Sequence, residues 1–302
     1  MQDALREVEA ALRDLGEGRA ENRPRQRVRG AHAMLNVMPA SWPPRGYCGF
    51  KYYTFSRTGI RFWFHLFDGS TGELLSVMEA NRLGQQRTGA ASGVATKFLA
   101  RKEAATVAIL GTGWQAESQL EAVCAVRSVS RVRCHGRQGA QRASFAERMT
   151  KALGVDVAPA DSGEAAVRGA EIVIAATSSP EPVVRGEWLQ PGVHLNAIGA
   201  NRLDARELDD ATVRRCTFIT ADSIEQAHME AGDLVHPVSA GLLRWDAVHE
   251  LSEVVAGKVN GRRTEQDITL FKSLGLAIED VAVGSLVYER ARKEGVGTEI
   301  TL

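Results

Sequence analysis

Aromatic residues are scarce in this chain, at 6% of 302 positions, and neither sign of charge is in excess, since 37 basic side chains meet 37 acidic ones. A basic face able to neutralise a phosphate backbone leaves no trace in such a composition, which argues against a nucleic-acid partner. No apolar run approaches the roughly 20 residues that cross a bilayer, so no membrane partner is expected. The opening MQDALREVEAALRDLGEGRA is charged throughout and holds no secretory apolar stretch. The four cysteines, Cys48, Cys124, Cys134 and Cys216, lie far apart with no CxxC or Cys/His ligand spacing. They read as buried free thiols in a reducing compartment, and the chain as a cytoplasmic protein. Seven dispersed histidines show neither HxxxH nor HExxH, so no metal site is expected, and no GxSxG nucleophile elbow occurs.

Two patterns divide what is present. Residues 1–16 set Leu5, Val8, Leu12 and Leu15 on one helical stripe. Short extended segments follow around 27–29 and 34–38. Residues 50–67, dense in aromatic and β-branched side chains and broken at Thr58 and Gly59, carry a hairpin signal. A strand over 74–77 continues it, and 79–100 switches to helical spacing. From Thr106 onward short apolar strands alternate with helices, the strands falling at 106–110, 131–134, 171–177, 194–200 and 217–221. That alternation predicts a doubly wound parallel α/β sheet of the Rossmann type. A last helix is expected from about 264 to 292, capped by Thr264 and Asp267 and packed back on the first part. There is no internal repeat.

Directly after the strand at 106–110 stands Gly111-Thr112-Gly113-Trp114-Gln115-Ala116, a GxGxxA. The first glycine permits the tight turn, the second lets backbone N–H groups approach a pyrophosphate, and the small third residue lets helix and strand pack closely. The strand before it and the amphipathic helix after it are the context this motif needs. A glycine-rich turn without a ligand is the bland alternative. An NAD site places an acid at the end of the second strand, for the ribose 2′-hydroxyl. Here no acid occurs between Glu121 and Glu147, while Arg127, Arg131, Arg133, Arg137 and Arg142 do. Arg137, just past the strand after His135 and Gly136, is placed to meet a 2′-phosphate. The expected cofactor is NADP(H), with NAD(H) as the alternative; a solvated basic loop is the competing reading of these arginines.

Two charged residues sit where apolar ones belong. Arg87 follows Leu83 by four on a helical stripe continued by Ala90, Ala91, Val94 and Phe98, so it needs a buried acid or an anionic ligand as partner. The small residues around it, Gly89 to Gly93, leave room for something to approach. A bidentate clamp on a substrate carboxylate fits, and a stem snorkelling to a surface is the alternative. Lys51 is the single charge in CGFKYYTF. Facing inward it would have a depressed pKa and serve as a proton donor; facing outward it would guard an edge strand, and parity alone does not decide.

Taken together, RQRVR (25–29), GFKYYT (49–54), TGELLSVMEANRLGQQRTGAASGVAT (71–96), VAILGTGWQA (107–116), ATSSPEPVV (176–184), NAIGANRLDARELDD (196–210), AGDLVHP (231–237), SEVVAGK (252–258) and ITLFKSLGLAIEDVA (268–282) resemble the ornithine cyclodeaminase/mu-crystallin family. The match runs in order along nearly the whole chain. It implies a homodimer with a Rossmann domain at 101–279, and an α+β substrate and dimerisation domain built from both chain ends, 1–100 and 280–302. By motif, Arg27, Lys51 and Arg87 resemble the positions that handle the substrate carboxylate and proton, with Lys51 and Arg87 catalytic and Ser273 beside the substrate. Thr88, Gly111 to Ala116, Arg137, Thr177, Ser178 and Gly199 would line the cofactor. The chain starts at what resembles the family's second helix, so an initial strand and short helix are expected outside it.

Two departures separate this sequence from the cyclodeaminases. Where they carry an aspartate base, this chain reads Gly199-Ala200-Asn201, and an amide takes no proton. Their acidic second-strand end is also missing. The expectation is an NADPH-dependent reductase of a small carboxylate-bearing imine, such as 1-pyrroline-2-carboxylate or 1-piperideine-2-carboxylate, giving an amino or imino acid. Asp204 and Asp233 are conceivable substitute acids, and structural roles are expected for His228 and Glu230. The rivals are an alanine- or opine-type dehydrogenase, an ornithine cyclodeaminase, and a mu-crystallin-like binding protein without catalysis.

Overall fold

In the computed structural model the N-terminal stripe forms helix α1 (Gln2–Gly16), with Leu5, Val8 and Leu12 buried and Leu15 packed against the same core. The structure describes residues 1–57 and 59–300. After α1 come strands β1 (Glu21–Asn22), β2 (Gln26–Arg29), β3 (Ala33–Trp42), β4 (Tyr47–Ser56), β5 (Gly59–Asp68) and β6 (Leu74–Glu79). They form an antiparallel sheet in the order β1-β3-β4-β5-β6, with β2 also on β3. The hairpin expected over 50–67 is β4–β5; of the two residues read as its break, Thr58 lies outside the described residues and Gly59 opens β5. Phe64, Leu66 and Met38 point to the inner face, where helix α2 (Asn81–Leu99) and the last helix cover them.

The second sheet is wholly parallel. It takes β7 (Thr106–Leu110), β8 (Arg131–His135), β9 (Asp156–Pro159), β10 (Ile172–Ala175), β11 (His194–Ala197), β12 (Phe218–Ala221), β13 (Val248–Glu250) and β14 (Thr269–Lys272). The order is β13-β12-β14-β11-β10-β7-β8-β9. Helices α3 (Trp114–Val126), α4 (Gly139–Leu153), α5 (Gly163–Val167), α6 (Asp210–Arg215), α7 (Ile224–Glu230), α8 (Gly232–Ser239) and α9 (Leu251–Val255) connect and cover these strands. This is a Rossmann-type α/β architecture beside an antiparallel sheet, as the alternation of strands and helices predicted.

Three expectations are corrected. The long helix from 264 to 292 does not form. Residues 269–272 are strand β14 at the middle of the parallel sheet, all four buried, and the closing helix α10 (Ala277–Glu294) starts only after Gly275, whose φ of +81° ends the strand in a turn. Thr264 and Asp267 cap a tight turn instead, the Asp267 carboxylate accepting from the Arg263 and Thr264 amides. Strands β9 and β13 were not foreseen. Finally, the small residues of α2 admit helix α3, not a ligand: a Cβ on Gly89 would strike the Ser118 carbonyl, and one on Gly93 would crowd Ala122 and Leu5.

Candidate active site

A cleft of about 1250 Å³ opens where the C-terminal ends of β7, β10 and β11 face the inner side of the antiparallel sheet. Its first wall is mostly backbone. Gly111 turns the chain at φ +104°, and a Cβ there would collide with the Ala176 carbonyl that follows β10. Gly113 is the N-cap of α3, no side chain among the described residues caps the first N–H groups of that helix, and the space over Gly113 is open. An anion meets unclaimed amides and the positive end of a helix dipole there. Thr112, Gly113, Trp114 and Gln115 line the cleft, while Ala116 is buried against the core beside β7, the packing role that the small residue of the motif was assigned.

Opposite this turn, Thr177, Ser178 and Gly199 line the same wall. A side chain on Gly199 would run into the Thr177 carbonyl and the carboxylate of Glu207. Glu207, wholly buried, accepts from the Thr177 amide at 2.7 Å, the Thr177 hydroxyl at 2.8 Å and the Gly199 amide at 2.5 Å. Burial pushes its carboxyl up, with Asp233 adding to the rise, while Lys272 and the Thr177 bonds pull it back. It ties the ends of β10 and β11 together, and the sequence reading did not single it out. Of the five arginines from Arg127 to Arg142, Arg137 alone lines the cleft, and among the described residues it forms no ion pair. Arg127 is spent on carbonyls at the end of α2, and Arg142 on the Gly136 carbonyl and the His135 ring. Thr88 reaches the cleft with its hydroxyl donating to the Gly84 carbonyl at 2.7 Å. These residues fit a dinucleotide: a glycine cradle, a free helix N-terminus and a cation at the end of β8.

The second wall is built of buried charge. Lys51 faces inward from β4, 1% exposed, with Nζ 2.8 to 2.9 Å from the Asp280 carboxylate. Burial lowers its pKa to about 8, the Arg87 charge helps, and Asp280 opposes. Arg87 donates through Nη1 to Glu279 at 2.7 Å and through Nε to Asp280 at 3.0 Å. Burial would lower its pKa, but the Asp280 and Glu279 charges more than offset that and hold the guanidinium charged. So the question the sequence left open has a double answer, for Arg87 has buried acids as partners and also lines the cleft. Arg87 rests against the backbone of Gly275, which only a glycine permits.

Alternate residues of β2 and the segment before it aim Arg25, Arg27 and Arg29 at the cleft. Arg27 pairs with Glu230 and also donates to the Asn201 carbonyl at 3.2 Å. Arg25 shares Glu230 and donates to the Leu274 carbonyl at 2.7 Å, more deeply buried than Arg27. The sequence reading missed Arg25; the i, i+2 spacing in RQRVR was the available signal. Ser273 lines the cleft and donates to Asp222 at 3.3 Å; Asp222 also accepts from the Leu274 and Gly275 amides at 2.7 and 2.6 Å, which fixes this loop under Arg87. Burial raises the Asp222 carboxyl while those amides and Arg87 pull it down. Buried Asn36, on β3 between Arg27 and Tyr53, also lines the cleft and was not foreseen. Glu230 belongs to this charge network, and His228 stacks on Trp245 with centroids 3.8 Å apart. Asp233 is consumed by Lys272 and by the Glu207 and Leu208 amides, whereas Asp204 pairs with Arg202 at the rim.

A glycine-turned dinucleotide cradle facing a cluster of buried cations fits an oxidoreductase that works with a nicotinamide dinucleotide. The profile of the ornithine cyclodeaminase/mu-crystallin family matches residues 1–295. The chain belongs to that family. It is 39% identical over 236 residues to the Delta(1)-pyrroline-2-carboxylate reductase of Bacillus cereus, covering 78% of this chain and 72% of that protein. The structure of Thermococcus litoralis Delta(1)-pyrroline-2-carboxylate reductase with NADH and L-proline superposes at a TM-score of 0.94, with 36% identity, over 98% of this chain and 95% of the other. An archaeal alanine dehydrogenase dimer with bound NAD gives a TM-score of 0.94 at 33% identity, over 100% and 95%. The chain is an oxidoreductase acting on C–N bonds.

Proposed function

We propose that this chain reduces a small cyclic imine bearing a carboxylate, 1-pyrroline-2-carboxylate or 1-piperideine-2-carboxylate, with NADPH. One observation carries the reading: Arg87 and Lys51, both buried and both anchored on Asp280, converge on the cleft from the wall opposite the Gly111–Ala116 turn. Arg87, with Arg25 and Arg27, holds the substrate carboxylate; fixing the reactants in contact geometry lowers a barrier by up to ~7–11 kcal/mol. Lys51 gives a proton from Nζ to the imine nitrogen, making the carbon more electrophilic, and is left as a neutral amine. A proton donor poised near neutral pH is worth roughly 10²–10⁴ in rate. When bound, the cofactor supplies the hydride that completes the reduction to the cyclic amino acid. Ser273 and Asn36 border the ring.

Arg137 and the missing acid at the end of β8 support NADPH over NADH, although the two solved relatives carry NADH and NAD. We assign residues 1–100 with 280–302 to a substrate and dimerisation domain and 101–279 to the dinucleotide domain, the last crossing falling in the first turn of α10. The outer face of the antiparallel sheet, with Leu35, Trp63 and Val77 exposed beside the Phe50, His65 and Phe67 stack, supports a homodimer. Among the described residues no helix is long and apolar enough to cross a membrane, and the four cysteines are free, in keeping with a cytoplasmic setting.

The test is NADPH oxidation in the presence of each imine, beside pyruvate with ammonia and L-ornithine with NAD. Rapid oxidation with an imine and no ammonia requirement is the expected result. Ammonia-dependent turnover of pyruvate would replace the reading with an amino-acid dehydrogenase. Proline from ornithine would show that Asn201 does not bar the cyclodeaminase reaction, and no turnover at all would leave a binding protein.

A further inference from the structure

Below the exposed Arg29, the substrate wall is electrically closed. Its cations Arg25, Arg27, Lys51 and Arg87 face the acids Asp222, Glu230, Glu279 and Asp280, and of these only Arg27 has a side chain more than about a tenth exposed. A substrate carboxylate entering beside Arg87 adds a further negative charge to a site with little water to screen it. That excess is relieved most readily by protonating one of the acids.

The acids differ in how firmly their charge is held. Asp280 is bound by both Lys51 and Arg87. Asp222 accepts from three amides, those of Ser223, Leu274 and Gly275, and from a hydroxyl. Glu230 is gripped by Arg25, Arg27 and Gln226. Glu279, fully buried at the start of α10, spends Oε2 on Arg87, with a long 3.4 Å contact to the Leu276 amide, and its Oε1 has no hydrogen-bond partner among the described residues. A proton on Oε1 costs no existing hydrogen bond, and Oε2 still accepts from Arg87 afterwards.

We infer that Glu279 takes up a proton when the substrate carboxylate enters, so that substrate capture and neutralisation of this one buried acid are a single coupled event. The inference rests on the reading of the substrate as a carboxylate-bearing imine. The groups facing Glu279 are Arg87 on α2, Asp222 after β12, Asp280 on its own helix, and Lys51 on β4 beyond Asp280. Burial pushes its carboxyl up to about 7, Arg87 pulls it down, and Asp222 and Asp280 push it further up. In the free enzyme above that pH Glu279 is ionised. A bound anion raises its pKa again, so proton uptake grows and carboxylate affinity falls as pH rises, by up to about tenfold per pH unit for one linked proton.

The experiment is calorimetric titration of the NADPH-saturated enzyme with pyrrole-2-carboxylate, which is planar, anionic and not reducible. Buffers of different ionisation enthalpy report the protons taken up. At about pH 7.5, where Lys51 is still largely charged, the expected result is a clear fractional uptake in the wild type that is lost in Glu279→Gln, with the affinity of the variant nearly flat between about pH 7 and 8. Difference infrared spectra of the wild type should gain the carbonyl stretch of a protonated carboxylic acid on binding, a readout that stands even if the variant does not fold. Equal uptake in both proteins, or no acid band in the wild type, would overturn the inference. Absence of binding would instead overturn the carboxylate reading, and this inference with it.

Discussion

Along the cofactor wall of the cleft the chain presents backbone: a glycine turn at Gly111, uncapped amides at the start of α3, and Gly199 pressed on Thr177. Across from it the substrate wall presents side-chain charge, with each buried cation held by an acid from a distant stretch of chain. The first wall offers an anion dipoles fixed by the fold, an arrangement that needs no counter-charge within the protein. The second must keep arginines and a lysine out of water before any ligand arrives, and buried charge is tolerated only when paired. Cofactor binding should therefore survive loss of a single side chain better than substrate turnover does.

The sharpest break in that contrast is Lys51→Met. It removes the proposed proton donor and strips Asp280 of one partner, so kcat should fall roughly 10²–10⁴-fold while NADPH affinity changes little. The check is steady-state NADPH oxidation beside cofactor binding by fluorescence. In the wild type, Lys51 is charged below about 8, so turnover should decline as pH rises through that value. Next comes Arg87→Lys, which keeps the charge but loses the fork that serves Glu279 and Asp280 together. The imine KM should rise by about tenfold or more, the worth of a charge-assisted hydrogen bond, with the NADPH KM unchanged.

The same contrast governs what could be read from the sequence. Gly111 to Ala116 are contiguous, and their spacing dictates both turn and helix start, so the glycine turn and the helix after it were legible in a dozen letters. Lys51 and Arg87 were visible as charges in apolar settings, but their partners Asp280 and Glu279 lie 229 and 192 residues away, and no local pattern joins them. Arg27 was named where Arg25 is the more deeply placed, because both occupy the same face of one extended segment. Strand β14 was read as helix for a related reason: buried on both faces, it shows no alternation, and its apolar run blends into the helical spacing of α10. Glu207 and Asn36 gave no signal, since one is an acid in a polar stretch and the other an amide in an apolar strand.

On the cofactor wall, Arg137→Ser should weaken NADPH by about tenfold, the loss of a charge-assisted contact, and leave NADH unaffected. Initial rates with both cofactors decide this, and a parallel loss for both would separate Arg137 from the 2′-phosphate. A last effect, on stability and not on turnover, lies at His194, buried on β11 between Thr269 and Asn196. Burial lowers its pKa to about 3 from 6.5. The unfolded chain binds that proton below 6.5 and the folded one does not, so stability is lost as pH falls from 6.5 towards 3. The loss should reach about 2 kcal/mol by pH 5, and urea melts of His194→Gln should lack that component.

The central claim is that buried guanidinium groups read the carboxylate of the substrate. It is tested most directly by comparing kcat/KM for 1-pyrroline-2-carboxylate with that for its methyl ester, using the wild-type enzyme and NADPH. The account predicts that the ester, alike in ring and C=N bond but uncharged, is reduced at least about 10²-fold less efficiently, the cost of leaving a buried ionic contact unmade. Equal efficiency for acid and ester would contradict it.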